Sequence, residues 1–331
     1  MHIVDDILSV DGLCNIVSNR LSAYDTIEAL ILIGSCSRGE ETYYVNSRTN
    51  KCLYSDIEFF AVLRNKNQIQ KINEEVSDIN RELKSISESP IFEVSVGYLF
   101  LNSIKRMDRR LIIFETKECG KVIFGNENVL NSLPVITVNN INKSNLVSII
   151  NQRLFHVLIE WNKLSELERK YCIARNTLDI PTVYLPFIGH LISSYKERNK
   201  FLVDSNDWIE DTFPKDFIQR LNFYLEMKLD LSCNIYSKFN SKEMLSLFCA
   251  DMECLLGIIK KIQGFVFLRD KHRMMRAAIH LRFNELRFEL NRPSVERQLC
   301  NTMMECLKNG EWNEEDESKA SNLMKELYKK R

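Results

Sequence analysis

The chain has 331 residues, enough for two domains that each bury a core of their own. Hydrophobic content of 45% and charged content of 27% are ordinary for a soluble globular protein. With 45 basic and 45 acidic side chains the formal charge is zero, which excludes a global field drawing in nucleic acid or a membrane surface. No apolar run approaches a bilayer span, and the start, MHIVDDILSVDG, lacks the basic flank and long apolar core of an export signal. Ten cysteines are dispersed with no CxxC pair. Structural zinc is therefore not expected, and reduced thiols in a cytoplasmic protein are.

In chain order, Ile7, Leu8, Leu13, Ile16, Val17 and Leu21 recur at helical spacing and predict a helix within residues 1–22. Ile27 to Ile33 is an apolar run cut off by Gly34-Ser35, which predicts a buried strand entering a tight turn. A short helix from Ser35 to Glu40 would turn free N–H groups towards an anion. Ser35 adds a hydroxyl, Arg38 adds a fixed charge with a bidentate fork, and Gly34 lets backbone approach a ligand. Cys36 in this turn reads as a space-filling bystander. After a polar loop, Asp56 and Glu58 alternate with Ile57, Phe59 and Ala61. On a strand the two carboxylates project from one face. Two acids at the mouth of a buried strand are costly unless paired or bound to a cation, and Mg2+ accepts one or two carboxylates plus phosphates.

Gly34-Ser35, Arg38-Gly39-Glu40 and Ser55-Asp56-Ile57-Glu58, in that order, resemble the signature of the DNA polymerase beta-like nucleotidyltransferases, most closely the minimal and antibiotic-modifying bacterial group. The resemblance covers the first third of the chain and the remainder only in outline. The interval from Ser35 to Asp56 is longer than the family usually shows, so Thr42 to Tyr54 reads as an insertion. Glu58 stands where Asp is commoner, which changes reach and not charge. The resemblance implies a triphosphate held by Gly34, Ser35, Arg38 and Ser55. It implies one or two Mg2+ ions on Asp56 and Glu58, and a third carboxylate from a later strand.

Asn67 to Lys84, with Ile69, Ile72, Val76, Ile79 and Leu83, predicts an amphipathic helix closed before Pro90. Ile91 to Tyr98 predicts a strand with Phe92, Val94, Val96 and Tyr98 on one face and Glu93 and Ser95 on the other. Glu93 matches the family's third carboxylate, a metal ligand and base towards an acceptor hydroxyl. Glu115 is the second choice, although its surroundings predict a helix. Lys121 to Phe124, between two glycines, predicts a last short strand. Pro134 and the asparagines after it read as a linker, with Ser144 capping the next helix.

Beyond the linker helical spacing dominates: Leu146 to Trp161, Glu166 to Leu178, Thr182 to Tyr195 after punctuation at Pro181, Trp208 to Lys228, Lys242 to Ile262, Asp270 to Leu290, Val295 to Leu307 and Glu315 to Lys329. The expected fold class is α+β. A nucleotidyltransferase-fold mixed sheet with flanking helices occupies residues 1–140, and an all-α domain occupies residues 141–331. Arg153, His156, Lys170 and Arg175 border apolar helix faces and are expected to be solvated or locally paired, with His156 packing. Arg273, Arg276, His280 and Arg287 share one face of a basic stretch. A helix with its other face buried is expected there rather than a nucleic-acid surface.

The expected activity is Mg2+-dependent transfer of a nucleoside monophosphate from an NTP, ATP by family analogy, to a hydroxyl of a small-molecule acceptor. The alternatives are a toxin or defence enzyme acting on RNA or making signalling nucleotides, and an inert nucleotide-binding protein.

Overall fold

The computed structural model describes residues 8–44, 52–87, 89, 92–205, 212–214, 216–278, 299–308 and 314–328. They form two compact units. The first takes in the described residues up to Asn142, together with Leu191–Arg198 and Glu226–Asn234; the second holds the rest.

In the first unit helix α1, Val10–Leu21, starts where Ser9 accepts the N–H of Gly12 at 3.0 Å. Asp11 in its first turn and Arg20 in its last complement the helix dipole. Strand β1, Ile27–Ile33, is buried along its length except at Glu28, the one charged residue in its apolar run, as suits a central strand. A short helix α2, Gly34–Arg38, follows directly. The insertion carries a two-stranded antiparallel ribbon, β2 Tyr43–Tyr44 and β3 Cys52–Leu53. The ribbon is tied to the late segment Glu226–Asn234 by the N–H of Leu231 donating to the Tyr43 carbonyl at 3.0 Å.

Strand β4, Ile57–Leu63, runs antiparallel to β1 and parallel to β5, Val94–Phe100. Helix α3, Ile69–Lys84, buries Ile72, Ile79 and Leu83, the middle and end of the predicted stripe. Its Asn80 amide donates to the Val94 carbonyl at 2.8 Å and accepts the Val94 N–H at 2.7 Å. One side chain thus stands in for a missing strand at the sheet edge. Helix α4, Leu111–Cys119, leads into β6, Lys121–Gly125, which pairs antiparallel with β1. The sheet order is β5-β4-β1-β6.

The second unit is helical in its described part: α5 Lys143–Glu160, α6 Glu166–Thr177, α7 Asp179–Phe187, α8 Tyr195–Asp204 from Asn199 onward, α9 Phe217–Leu229 up to Leu225, α10 Ser241–Ala278, α11 at 299–308 and α12 Glu314–Tyr328. The protein is a mixed α+β structure.

Several expectations are corrected. Strand β5 begins at Val94, so Glu93 precedes it and is exposed. Helix α5 already includes Lys143, so Ser144 lies inside it and is no cap. The punctuation expected at Pro181 is present, since α6 ends at Thr177 and α7 begins at Asp179 with Pro181 in its first turn, where its missing N–H has no intrahelical partner to lose. The helix expected from Thr182 to Tyr195 is shorter. That helix instead stops at Phe187, before Gly189 at φ 104°, and helix resumes only at Tyr195. The break expected between Ile262 and Asp270 is absent, since α10 runs through it. Trp208, His280 and Arg287 lie outside the described residues, as do the side chains of Arg273 and Arg276. Among the described residues no helix is long and apolar enough to cross a membrane.

Candidate active site

Gly34 is the first residue of the site because the chain must reverse there. Ile33 ends β1 in an extended conformation and Gly34 follows at φ 69°, a region that penalises any side chain. The turn closes with Gly39, also left-handed at φ 66°, while the N–H of Glu40 donates to the Ser35 carbonyl at 2.9 Å. The Ser37 hydroxyl donates to the Gly34 carbonyl at 3.0 Å.

The antiparallel register sets Ile33 opposite Glu58. That pairing brings the Glu58 carboxylate against the elbow: a Cβ on Gly34 would stand 2.2 Å from Glu58 Oε2. Asp56 and Glu58 are both partly exposed, whereas Ile57, Phe59 and Ala61 between and beyond them are buried. The alternation therefore turns both acids to one face. Parallel pairing sets Glu58 beside Ser95, and the Ile57 N–H donates to the Glu93 carbonyl at 2.9 Å, so Glu93 and Asp56 precede the starts of neighbouring strands at one end of the sheet. Among the described residues, however, no three His, Cys, Asp or Glu side chains gather as a ready metal site. Asp56, Glu58 and Glu93 lie at one end of the sheet without closing into one cage.

Gly34→Ala is expected to fail twice. The left-handed φ costs a non-glycine residue about 1–2 kcal/mol, and the new methyl must displace the Glu58 carboxylate. A lowered melting temperature with a soluble product, and an activity loss larger than that shift explains, is the expected pair of readings.

Three of the expected ligands have other work. Arg38, a phosphate grip by the resemblance, has only 6% of its side chain exposed and is held by Glu40 at 3.0 Å and Glu115 at 3.3 Å. Burial opposes its charge, but Glu115 and Glu40 more than offset this and keep the guanidinium above its ordinary range. Glu115, the second choice as third carboxylate, lies between Arg38 and Arg198 and so is neutralised by two guanidinium groups. Ser55, expected beside the nucleotide, is 2% exposed, and its hydroxyl accepts the Thr42 N–H at 3.3 Å. It fastens the root of the insertion. The thiol of Cys36 donates to the Asp56 carbonyl at 3.7 Å. Burial pushes that thiol far above its ordinary range, Glu41 reinforces this and Lys228 opposes it, so Cys36 is a packed, protonated side chain.

Sequence reasoning missed Glu41 and Lys228. Both lie near enough to Cys36 to act on its thiol together with Asp56 and Glu58. Lys228 is buried, with Nζ 5.9 Å from the Tyr195 ring. Glu41 was read as part of the polar loop and Lys228 as the end of a helix, because neither has a spacing that reports its tertiary neighbours.

The candidates in the second unit are engaged locally. Arg153 pairs with Asp179 at 2.5 Å, and Lys170 donates to the Tyr236 carbonyl at 3.1 Å. His156 is exposed, with Nδ1 3.6 Å from the Cys172 thiol and 3.4 Å from the Asn176 amide. Cys172 is buried and pushed up to about 12, which leaves it a thiol rather than a nucleophile. None of the ten cysteines is in a disulfide.

No family model matches this chain, and no curated protein matches it.

Proposed function

We propose that the protein is a nucleotidyltransferase of the DNA polymerase beta-like kind, its first unit an example of that fold. It moves a nucleoside monophosphate from an NTP, by analogy ATP, to a hydroxyl of a small-molecule acceptor. The observation that carries the reading is the closeness of Gly34 to Glu58, with the partly exposed Asp56 just ahead of β4, two residues before it.

Two partly exposed carboxylates suit Mg2+, which completes its shell with phosphate oxygens and water. Asp56 and Glu58 would hold it, with Glu93 in reach at the same end of the sheet. When bound, such an ion neutralises phosphate charge and stabilises both the attacking and the leaving oxygen. The chain supplies the rest. Gly34 admits the triphosphate close to the backbone, and the Ser35 hydroxyl donates to a phosphate oxygen. Glu93 takes the proton of the acceptor hydroxyl as that oxygen bonds to the α-phosphorus and pyrophosphate departs.

The second reading is nucleotide binding without transfer. Incubating the full chain with α-labelled NTPs, Mg2+ and a mixture of small hydroxyl metabolites separates the two. Labelled metabolite and Mg2+-dependent pyrophosphate are expected. Bound nucleotide without pyrophosphate would favour the second reading. Label in added RNA, or in products formed from NTP alone, would move the acceptor to a nucleic acid or a nucleotide.

A further inference from the structure

The Gly34 end of the elbow touches the acidic strand, and the Gly39 end is held by a buried run of alternating charges. Glu40 is fully buried. One of its oxygens accepts from Arg38 at 3.0 Å and the other accepts the Lys196 N–H at 2.8 Å. Arg38 reaches on to Glu115 at 3.3 Å, and the second oxygen of Glu115 is taken by Arg198. Arg198 in turn donates to the Ile192 carbonyl at 2.9 Å, and Lys196 Nζ donates to the Gly39 carbonyl at 3.0 Å. The Tyr195 ring lies 5.5 Å from each guanidinium carbon. Every segment involved belongs to the first unit.

Four charges held together with little exposure, Glu40 and Arg198 buried and Arg38 and Glu115 nearly so, are a poor source of net stability, because desolvation cancels most of their attraction. What such a network does well is fix one geometry, provided every member is satisfied. Here the geometry it fixes is that of Arg38, Gly39 and Glu40, the C-terminal half of the turn that sets Gly34 against Glu58.

We propose that Glu115 and Arg198 are positioning residues for the elbow. They act through Arg38 and Glu40 rather than on the nucleotide. The segment Leu191–Arg198 is thereby a working part of the site, although it lies far along the chain. This deepens, and rests on, the reading of Gly34–Ser35 and Asp56–Glu58 as the nucleotide site.

The test compares Glu115→Gln, Arg198→Met and the conservative Arg198→Lys with the wild type, all as full chains. Amide hydrogen exchange is read by peptide. At 35–40 it is expected to quicken about tenfold or more in Glu115→Gln and Arg198→Met, with the β1 interior and α6 unchanged. Arg198→Lys, which keeps the charge, is expected to recover most of the protection. In the same proteins KM for MgATP is expected to rise about tenfold. A purely structural defect would instead lower the folded fraction, and with it apparent kcat, at constant KM. Unchanged exchange at 35–40, or loosening spread evenly over the first unit, would overturn the proposal. If Glu115→Gln does not fold, the two Arg198 variants carry the same comparison. Should the wild type fail to turn over MgATP while local exchange still responds, the positioning role stands and the nucleotidyltransferase reading falls.

Discussion

Asp56→Asn is expected to cut nucleotidyl transfer by about three orders of magnitude or more, roughly 4 kcal/mol of transition-state stabilisation. The substitution keeps size and shape and removes one negative charge from a partly exposed position just before β4. Its fold should survive: a polar, isosteric change at such a site typically moves stability within about 0.5 kcal/mol. What is lost is the capacity to hold a divalent cation next to the elbow, since a neutral amide oxygen is a far weaker ligand for a hard ion than a carboxylate. Glu58→Gln is expected to act in the same direction. The check is steady-state pyrophosphate release beside a thermal melt. Transfer within about threefold of wild type in a folded Asp56→Asn protein would contradict the assignment.

The second large effect is on stability and falls in the helical unit. Asp251 on α10 is fully buried and pairs with Arg220 of α9 at 2.5 Å, and Arg220 also pairs with Asp216. Among the described residues one Asp251 oxygen, Oδ2, has no hydrogen-bond partner, nor has the buried Tyr224 hydroxyl. Asp251→Ala leaves Arg220 buried with Asp216 alone, a partner that is itself 57% exposed. The expected cost is roughly 3 kcal/mol, the low end for breaking a buried pair because one partner remains. For a unit of this size that is a fall in melting temperature of about 10 °C. Replacing both members, Arg220→Met with Asp251→Leu, is expected to cost less than Asp251→Ala, since no uncompensated charge remains.

The pH dependence follows from the same group. Burial pushes the Asp251 carboxyl up to about 6 from its ordinary 3.8, even against the pull of Arg220. A carboxyl raised on folding means that the native state binds the proton more tightly than the unfolded chain does. Its contribution to stability is then largest below about pH 4 and is lost as pH rises to about 6. Melts at pH 5 and pH 7.5 should show that trend in the wild type and a weaker one in Asp251→Asn.

Much of the first unit was legible because its signals are local. The apolar run from Ile27 to Ile33 matches β1 residue for residue, since a central strand needs no polar face. The stripe from Ile69 to Leu83 matches α3, and the two glycines around Lys121–Phe124 bound a strand where one was expected. Alternation at Asp56–Phe59 correctly separated exposed acids from buried apolar residues. What was not legible is long-range. Whether Arg38 meets a phosphate or a carboxylate depends on Glu115, 77 residues away, and on Arg198, in a stretch between Tyr195 and Trp208 for which the sequence suggests no element. No periodicity encodes such a pairing. Ser55 likewise looked like part of a motif, and only the return of the insertion shows that its hydroxyl serves the Thr42 N–H. Pro181 was a usable local signal, because a proline suits the first turn of a helix, and one helix ends at Thr177 just before another starts at Asp179.

The central claim is that Asp56 and Glu58 bind a divalent ion together with a nucleotide's phosphates at the Gly34 elbow. Electron paramagnetic resonance of Mn2+, titrated into the full chain with and without a non-hydrolysable ATP analogue, tests it most directly. Tight Mn2+ binding that needs the analogue, and that disappears in both Asp56→Asn and Glu58→Gln, is the predicted result. Binding that is indifferent to the analogue, or that survives in both variants, would contradict the account.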